Sequence, residues 1–188
     1  MTSYITNQVV VTGEEMVVGK FSDTHFSQCI SAKPSQLDFD FNIITPMPEG
    51  LDKAIETLET DQALKLLQRI EKGDPESGIE LERMKHSSPY VMQRGQHRLD
   101  LLKATGYSSW YDWSLEHWGT KWYACNTAIL KHEGGYLEFC FDTIWKSPVP
   151  IFEKLAAMWP DLTFEITATD ATQEIVWRQS YNRKDEQE

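Results

Sequence analysis

Trp110-Tyr111-Asp112-Trp113-Ser114-Leu115-Glu116-His117-Trp118-Gly119-Thr120-Lys121-Trp122 carries four tryptophans in thirteen residues. Tryptophan joins a large apolar surface to one N–H that needs a partner, so such a cluster either anchors a core or builds a recognition surface. It also marks a change in the chain. Helix formers dominate before it, and strand formers return after Lys121. Ser109 stands where a helix cap belongs, and Gly119 stands just past the end of a short helix that would hold Trp110, Trp113 and His117.

Residues 50–118 read as a helical insertion. Leu51, Ala54, Ile55 and Leu58 fit a helical stripe, as do Ala63, Leu64, Leu67 and Ile70, which Gly73 and Pro75 stop. Further helical stretches carry Ile79 with Met84, and Leu99 with Leu102 ahead of Gly106. After the cluster, residues 123–131 read as a strand and Gly134-Gly135 as a hairpin turn. Residues 136–143 alternate, with Leu137, Phe139 and Phe141 on one face and Glu138, Cys140 and Asp142 on the other. A helix with Phe152, Leu155, Ala156 and Trp159 then leads to a strand over 162–168 and an edge strand over 174–181. The polar residues 182–188 read as a frayed tail.

The N-terminal part repeats the pattern. Residues 4–11 are rich in β-branched side chains and predict a strand. Thr12 and Glu15 have the spacing of a capping box for a helix with Val17, Val18, Phe21, His25 and Cys29 near one face. Lys33-Pro34-Ser35 breaks that helix, and Asp38 to Ile44 alternates as a second strand. Two β-α-β units imply an α+β chain with a ferredoxin-like (split β-α-β) sheet and helices on one face. The expected organisation is one domain, 1–188, with its sheet core in 4–48 and 119–181 and the helical insertion, 50–118, after the second strand.

The chain has 188 residues, 40% hydrophobic and 25% charged, an ordinary globular composition long enough for one well-buried core. No apolar run approaches a membrane span. The N-terminus lacks the basic and apolar regions of a signal peptide. Cys29, Cys125 and Cys140 are an odd set without paired spacing, which fits reduced thiols and a cytoplasmic location. The net charge is -11, spread along the chain. Phosphate backbones are bound by Lys and Arg, so this balance argues against a nucleic-acid partner.

Four motifs carry a resemblance. They are Thr6-Asn7-x-x-Val10-x-Thr12-Gly13, Phe39-Asp40-Phe41-Asn42-Ile43-Ile44-Thr45-Pro46-Met47-Pro48, Trp118-Gly119-Thr120-Lys121-Trp122, and Phe141-Asp142-Thr143-Ile144-Trp145-Lys146-Ser147-Pro148-x-Pro150. Together they resemble the YubB-like family with its ferredoxin-like domain, over about residues 4–180. The resemblance implies a ferredoxin-like fold and an origin on plasmids, phages or integrated elements of bacteria. It implies no activity, cofactor or catalytic residue.

The indole cluster is the candidate binding site: Trp113, Trp118, Lys121 and Trp122, with Asp112 beside them. A tight turn at Gly119 would let Trp118 and Trp122 flank the start of the next strand, with Lys121 over an indole face. The competing reading is a structural clasp that pins the helical insertion to the sheet. Asp112, His117 and Lys121 form an acid–base set on paper, but a spacing of five does not place Asp112 and His117 on one helix face. His25 and Cys29 have the spacing of a zinc pair and lack further ligands nearby. Phe139, Phe141 and Trp177 would suit base stacking only if they faced away from the helices. No Walker loop, dinucleotide fingerprint or nucleophile elbow is present, so neither a catalytic site nor a bound cofactor is expected. The leading reading is a non-catalytic factor that binds a protein of the bacterial host. The alternatives are a nucleic-acid-binding sheet, and a small hydrolase or transferase with a pocket near Trp118 to Trp122.

Overall fold

The computed structural model describes residues 3–28 and 37–182. In chain order these form β1 (Tyr4–Thr12), α1 (Glu15–His25), β2 (Phe26–Gln28), β3 (Leu37–Phe39), α2 (Phe41–Ile44), a 3-10 turn (Leu51–Lys53), α3 (Leu58–Glu71), α4 (Ser77–Ser87), α5 (Pro89–Thr105), α6 (Trp110–His117), β4 (Cys125–Glu133), β5 (Tyr136–Ile144), α7 (Val149–Met158), β6 (Thr163–Thr169) and β7 (Ile175–Tyr181). They make two compact units. One joins the chain up to Pro46 with the chain from Ser114 onward, and the other is Met47–Trp113. No described helix is long and apolar enough to cross a membrane.

The first unit is built on a five-stranded sheet of order β4-β5-β1-β6-β7 in which every neighbouring pair is antiparallel. β1 and β4 therefore run parallel with β5 between them, and β5 and β6 run parallel with β1 between them. These two interleaved split crossovers are the ferredoxin-like arrangement, extended by β7 at one edge. Period-two alternation decides which face is covered. Val9 and Val11, Leu137, Phe139 and Phe141, and Phe164, Ile166 and Ala168 are all buried, together with Val18 and Phe21 of α1 and Ile151, Phe152 and Leu155 of α7. Aromatic rings dominate this layer. Phe39 lies 5.1 Å from both Phe139 and Phe141, and Phe21 meets Phe164 edge-on at 5.6 Å.

Several local expectations are corrected. The alternation over 38–44 predicts a sheet strand, but only Leu37–Phe39 is extended, and it pairs with β2 in a separate two-stranded sheet. Asp40 ends it. Its carboxylate accepts the Asn42 N–H at 2.8 Å and caps α2, so a local side-chain bond outweighs the apolar alternation. The second strand of the ferredoxin-like sheet is therefore β4, and the helical residues lie inside the first crossover. The Thr12–Glu15 capping box does not form, since α1 starts after Glu14 with no side-chain cap. That helix ends at His25; Cys29 and the breaker at 33–35 lie outside the described residues. Asn182, expected to fray, is held instead: its amide donates to the carbonyls of Ala156 and Trp159 at 2.8 and 3.1 Å.

In the second unit, α3 starts with a reciprocal cap between Thr57 and Thr60. α5 lies close to α3 because Gly95 has no side chain; a Cβ there would fall 2.6 Å from that of Ala63. Arg98 is buried and bonds Asp61, the Thr60 hydroxyl and the Ser108 carbonyl. Of the stripe read at 51–58 only Leu51–Lys53 is helical, as a 3-10 turn, before α3 begins at Leu58; Leu51 and Ala54 are buried while Ile55 and Leu58 are exposed. Ile79 is also exposed.

Candidate functional site

Residues from each of the four motifs quoted above are tied together around the turn after β5. Trp118 is buried, donates its indole N–H to the Thr45 carbonyl at 3.0 Å and packs edge-on to Phe41. Gly119 has a φ of +77°, and a Cβ there would meet Pro150 at 2.6 Å, so both backbone and space require glycine. The Thr120 hydroxyl donates to the Ile144 carbonyl at 2.8 Å, and the Ser114 hydroxyl donates to that of Lys121 at 3.1 Å. Beneath them Asn7, fully buried, donates to the Thr143 hydroxyl at 2.9 Å and accepts the Ser147 hydroxyl at 2.6 Å. A satisfied buried network of this kind holds the turn after β5 in one shape.

That frame presents an open recess of about 640 Å³ lined by Tyr4, Lys121, Trp122, Tyr123, Cys125, Ile144 and Trp145. Trp122 is 38% exposed, Trp145 45% and Tyr123 53%. Tyr4 and Ile144 are a cross-strand pair at the ends of β1 and β5. The Lys121 ammonium lies 5.1 Å from the centre of the Trp145 ring, within cation–π range. Trp145 itself is strained. Its φ is +72°, a region that bulky side chains avoid, and its N–H donates to the Ser3 carbonyl at 2.9 Å. A second non-glycine residue at positive φ, Asn126, directly follows Cys125. Strain of this kind persists where surrounding structure imposes it, and it gathers at binding and catalytic sites.

The sequence-predicted site residues therefore separate. Lys121 and Trp122 line the recess. Trp118 is core, because its N–H is used internally. Trp113 is buried and Asp112 is exposed, both in the 47–113 unit, with the Asp112 N–H donating to the Ser109 hydroxyl at 3.2 Å. Asp112 and His117 share α6, five residues apart, and Lys121 follows the helix. The residues that sequence reasoning missed are Tyr4, Tyr123 and Trp145. Trp145 stands in one of the quoted motifs, but nothing in its local pattern announces a positive φ.

The chemistry available at the recess is limited. Its described lining holds no carboxylate and no histidine. Burial, and then the nearby Asp142 carboxylate, pushes the Cys125 thiol up, which keeps it protonated and weakly nucleophilic. His25 sits in the core with its Nε2 accepting the Trp159 indole N–H at 2.9 Å, and burial lowers its pKa to about 4. Among the described residues no group of three or more His, Cys, Asp or Glu could hold a metal ion. Phe139 and Phe141 are buried under the helices, and Trp177 stacks on Phe152 at 6.0 Å. The opposite face of the sheet carries Thr6, Gln8 and Glu138, Cys140 and Asp142, tied together by Thr6–Asp142 and Gln8–Glu138 hydrogen bonds of 2.7 and 2.5 Å.

Residues 117–186 match the family described as "Ferredoxin-like domain in Api92-like protein", in agreement with the sheet topology. Among solved structures, the chain is similar to protein Api92 from Yersinia pseudotuberculosis, at 12% identity and a TM-score of 0.47, over 96% of this chain and 93% of that one. No curated protein matches the chain at a significant level.

Proposed function

We propose that this is a non-catalytic protein-interaction factor that binds a host protein through the recess around Trp122, Tyr123, Trp145 and Lys121. The observation that carries the reading is Trp145. A large ring is held in a left-handed backbone conformation and left nearly half exposed, at a cost to the folded chain of about 1–2 kcal/mol. Aromatic rings on a rigid frame are the usual anchors of protein interfaces, because they bury much area with few rotatable bonds. The protonated Cys125 and the absence of any carboxylate or histidine in the described lining favour binding over a hydrolase or transferase. The polar, acidic open face of the sheet, whose outward-facing positions on β1 and β5 carry no aromatic between the strand ends, weighs against a nucleic-acid-binding sheet. The motif resemblance supports a mobile-element origin, with host machinery as the target.

Capture from bacterial lysate over a range of salt, comparing the natural chain with a Trp122→Ser, Trp145→Asn double variant, tests the reading. A partner held by the natural chain and lost by a folded double variant supports it. A partner retained by the variant, or none at any salt, refutes it. Gel shifts with single-stranded DNA and RNA at low salt address the alternative.

A further inference from the structure

The two edges of the sheet are built differently. β4 meets β5 with two register shifts, and its outer end carries the Lys131–Glu133 ion pair at 3.0 Å. Bulges and charges of this kind keep an edge from pairing with another chain. On β7 the single shift falls before Trp177, and from Trp177 to Tyr181 the strand runs in regular register with β6. That stretch, Trp-Arg-Gln-Ser-Tyr, has no proline and one charge. Trp177, Gln179 and Tyr181 pair with the buried Ala168, Ile166 and Phe164, so they lie on the helix side. Arg178 and Ser180 pair with Thr167 and Glu165 on the open side.

We propose that β7 pairs with β7 of a second copy of this chain, antiparallel about Gln179, to join two sheets into one. The outer backbone groups of an edge strand are satisfied best by another strand, and the side chains select which one. A two-fold axis normal to the sheet keeps helix-side residues together, so it must pass through a residue. Centring on Arg178 would set two guanidinium groups face to face. Centring on Gln179 sets Trp177 against Tyr181 of the second copy twice, Arg178 against Ser180 twice, and Gln179 against itself. Aromatic cross-strand pairs are among the favourable ones, and no like charges meet. Trp177 is already fixed by its stack on Phe152, nearly parallel at 9°, which lowers the entropy cost of using it at an interface. The proposal is independent of the recess, which lies toward the β4 side of the sheet.

Both copies are acidic, so repulsion opposes association and salt screens it. Sedimentation of the full chain across a concentration series should show a reversible monomer–dimer equilibrium that tightens from low to high salt. Gln179→Glu and Gln179→Lys, both on an exposed side chain, should each weaken the dimer about fivefold or more by setting like charges opposite. An equimolar mixture of the two folded variants should restore it. Arg178→Ser should leave it within about twofold, since Arg178 faces a serine. A monomer at every concentration, a species larger than a dimer, or a dimer indifferent to the Gln179 substitutions would overturn the proposal. The recess variants Trp122→Ser and Trp145→Asn should not change the equilibrium, which separates this surface from the host-binding reading.

Discussion

Trp118 donates its indole N–H to the carbonyl of Thr45, 73 residues earlier in the chain, at 3.0 Å. The bond fixes the tryptophan motif to the end of α2. It uses the one polar atom of a ring that is 3% exposed. Four residues later, Trp122 faces the recess. The two tryptophans of the Trp-Gly-Thr-Lys-Trp motif therefore have opposite tasks, one holding the frame and the other presented by it.

Truncation should separate those tasks. Trp118→Ala removes a buried ring and leaves the Thr45 carbonyl without its donor, and should cost about 3–5 kcal/mol in urea unfolding. Trp145→Asn places a residue tolerant of positive φ at an exposed, strained position. Its stability should stay within about 1 kcal/mol of the natural chain, the lost Lys121 contact offsetting the relieved strain.

Gly119 admits no replacement. Gly119→Ala combines a positive φ with a Cβ 2.6 Å from the Pro150 ring, and should destabilise the fold by about 2–3 kcal/mol. Chemical denaturation with an unchanged m-value would show that the loss lies in the folded state.

Ser147→Ala tests the buried network. The Asn7 oxygen would lose the hydroxyl it accepts at 2.6 Å, and an unsatisfied buried acceptor costs about 1–3 kcal/mol. Asn7→Leu, Ser147→Ala together should cost less than the sum of the single changes, because the pair would be removed rather than halved.

His25 makes stability depend on pH. Its folded pKa, about 4, lies below the ordinary 6.5 because burial disfavours the charged ring. The unfolded chain therefore takes up the proton first. Stability present in full above pH 6.5 is lost as the pH falls through that window, reaching about 3 kcal/mol near pH 4. His25→Gln should flatten that slope between pH 6.5 and 4, measured by denaturation midpoints at each pH.

Period alone was enough for much of the sheet. The alternation of Leu137, Phe139 and Phe141, and of Phe164 and Ile166, marks which side is buried, since side-chain direction in a strand is set by position parity. The final edge strand, the Gly106 helix end, the Ser109 cap and the glycine after α6 were equally local signals. Asp40 shows where such signals fail: two local preferences competed over 38–44, and the cap outweighed the alternation.

The amino-acid sequence by itself determined the α+β class, the strands of the main sheet and the buried face of those that alternate, because these follow from spacing along the chain. Only the tertiary structure decided which tryptophan is core and which is presented, that Trp145 and Tyr4 share a recess with Lys121, and that β4 supplies the second sheet strand. Those outcomes depend on partners far apart in the chain, such as Thr45 for Trp118 and Pro150 for Gly119. A residue's own neighbours carry no record of what the fold will bring against it.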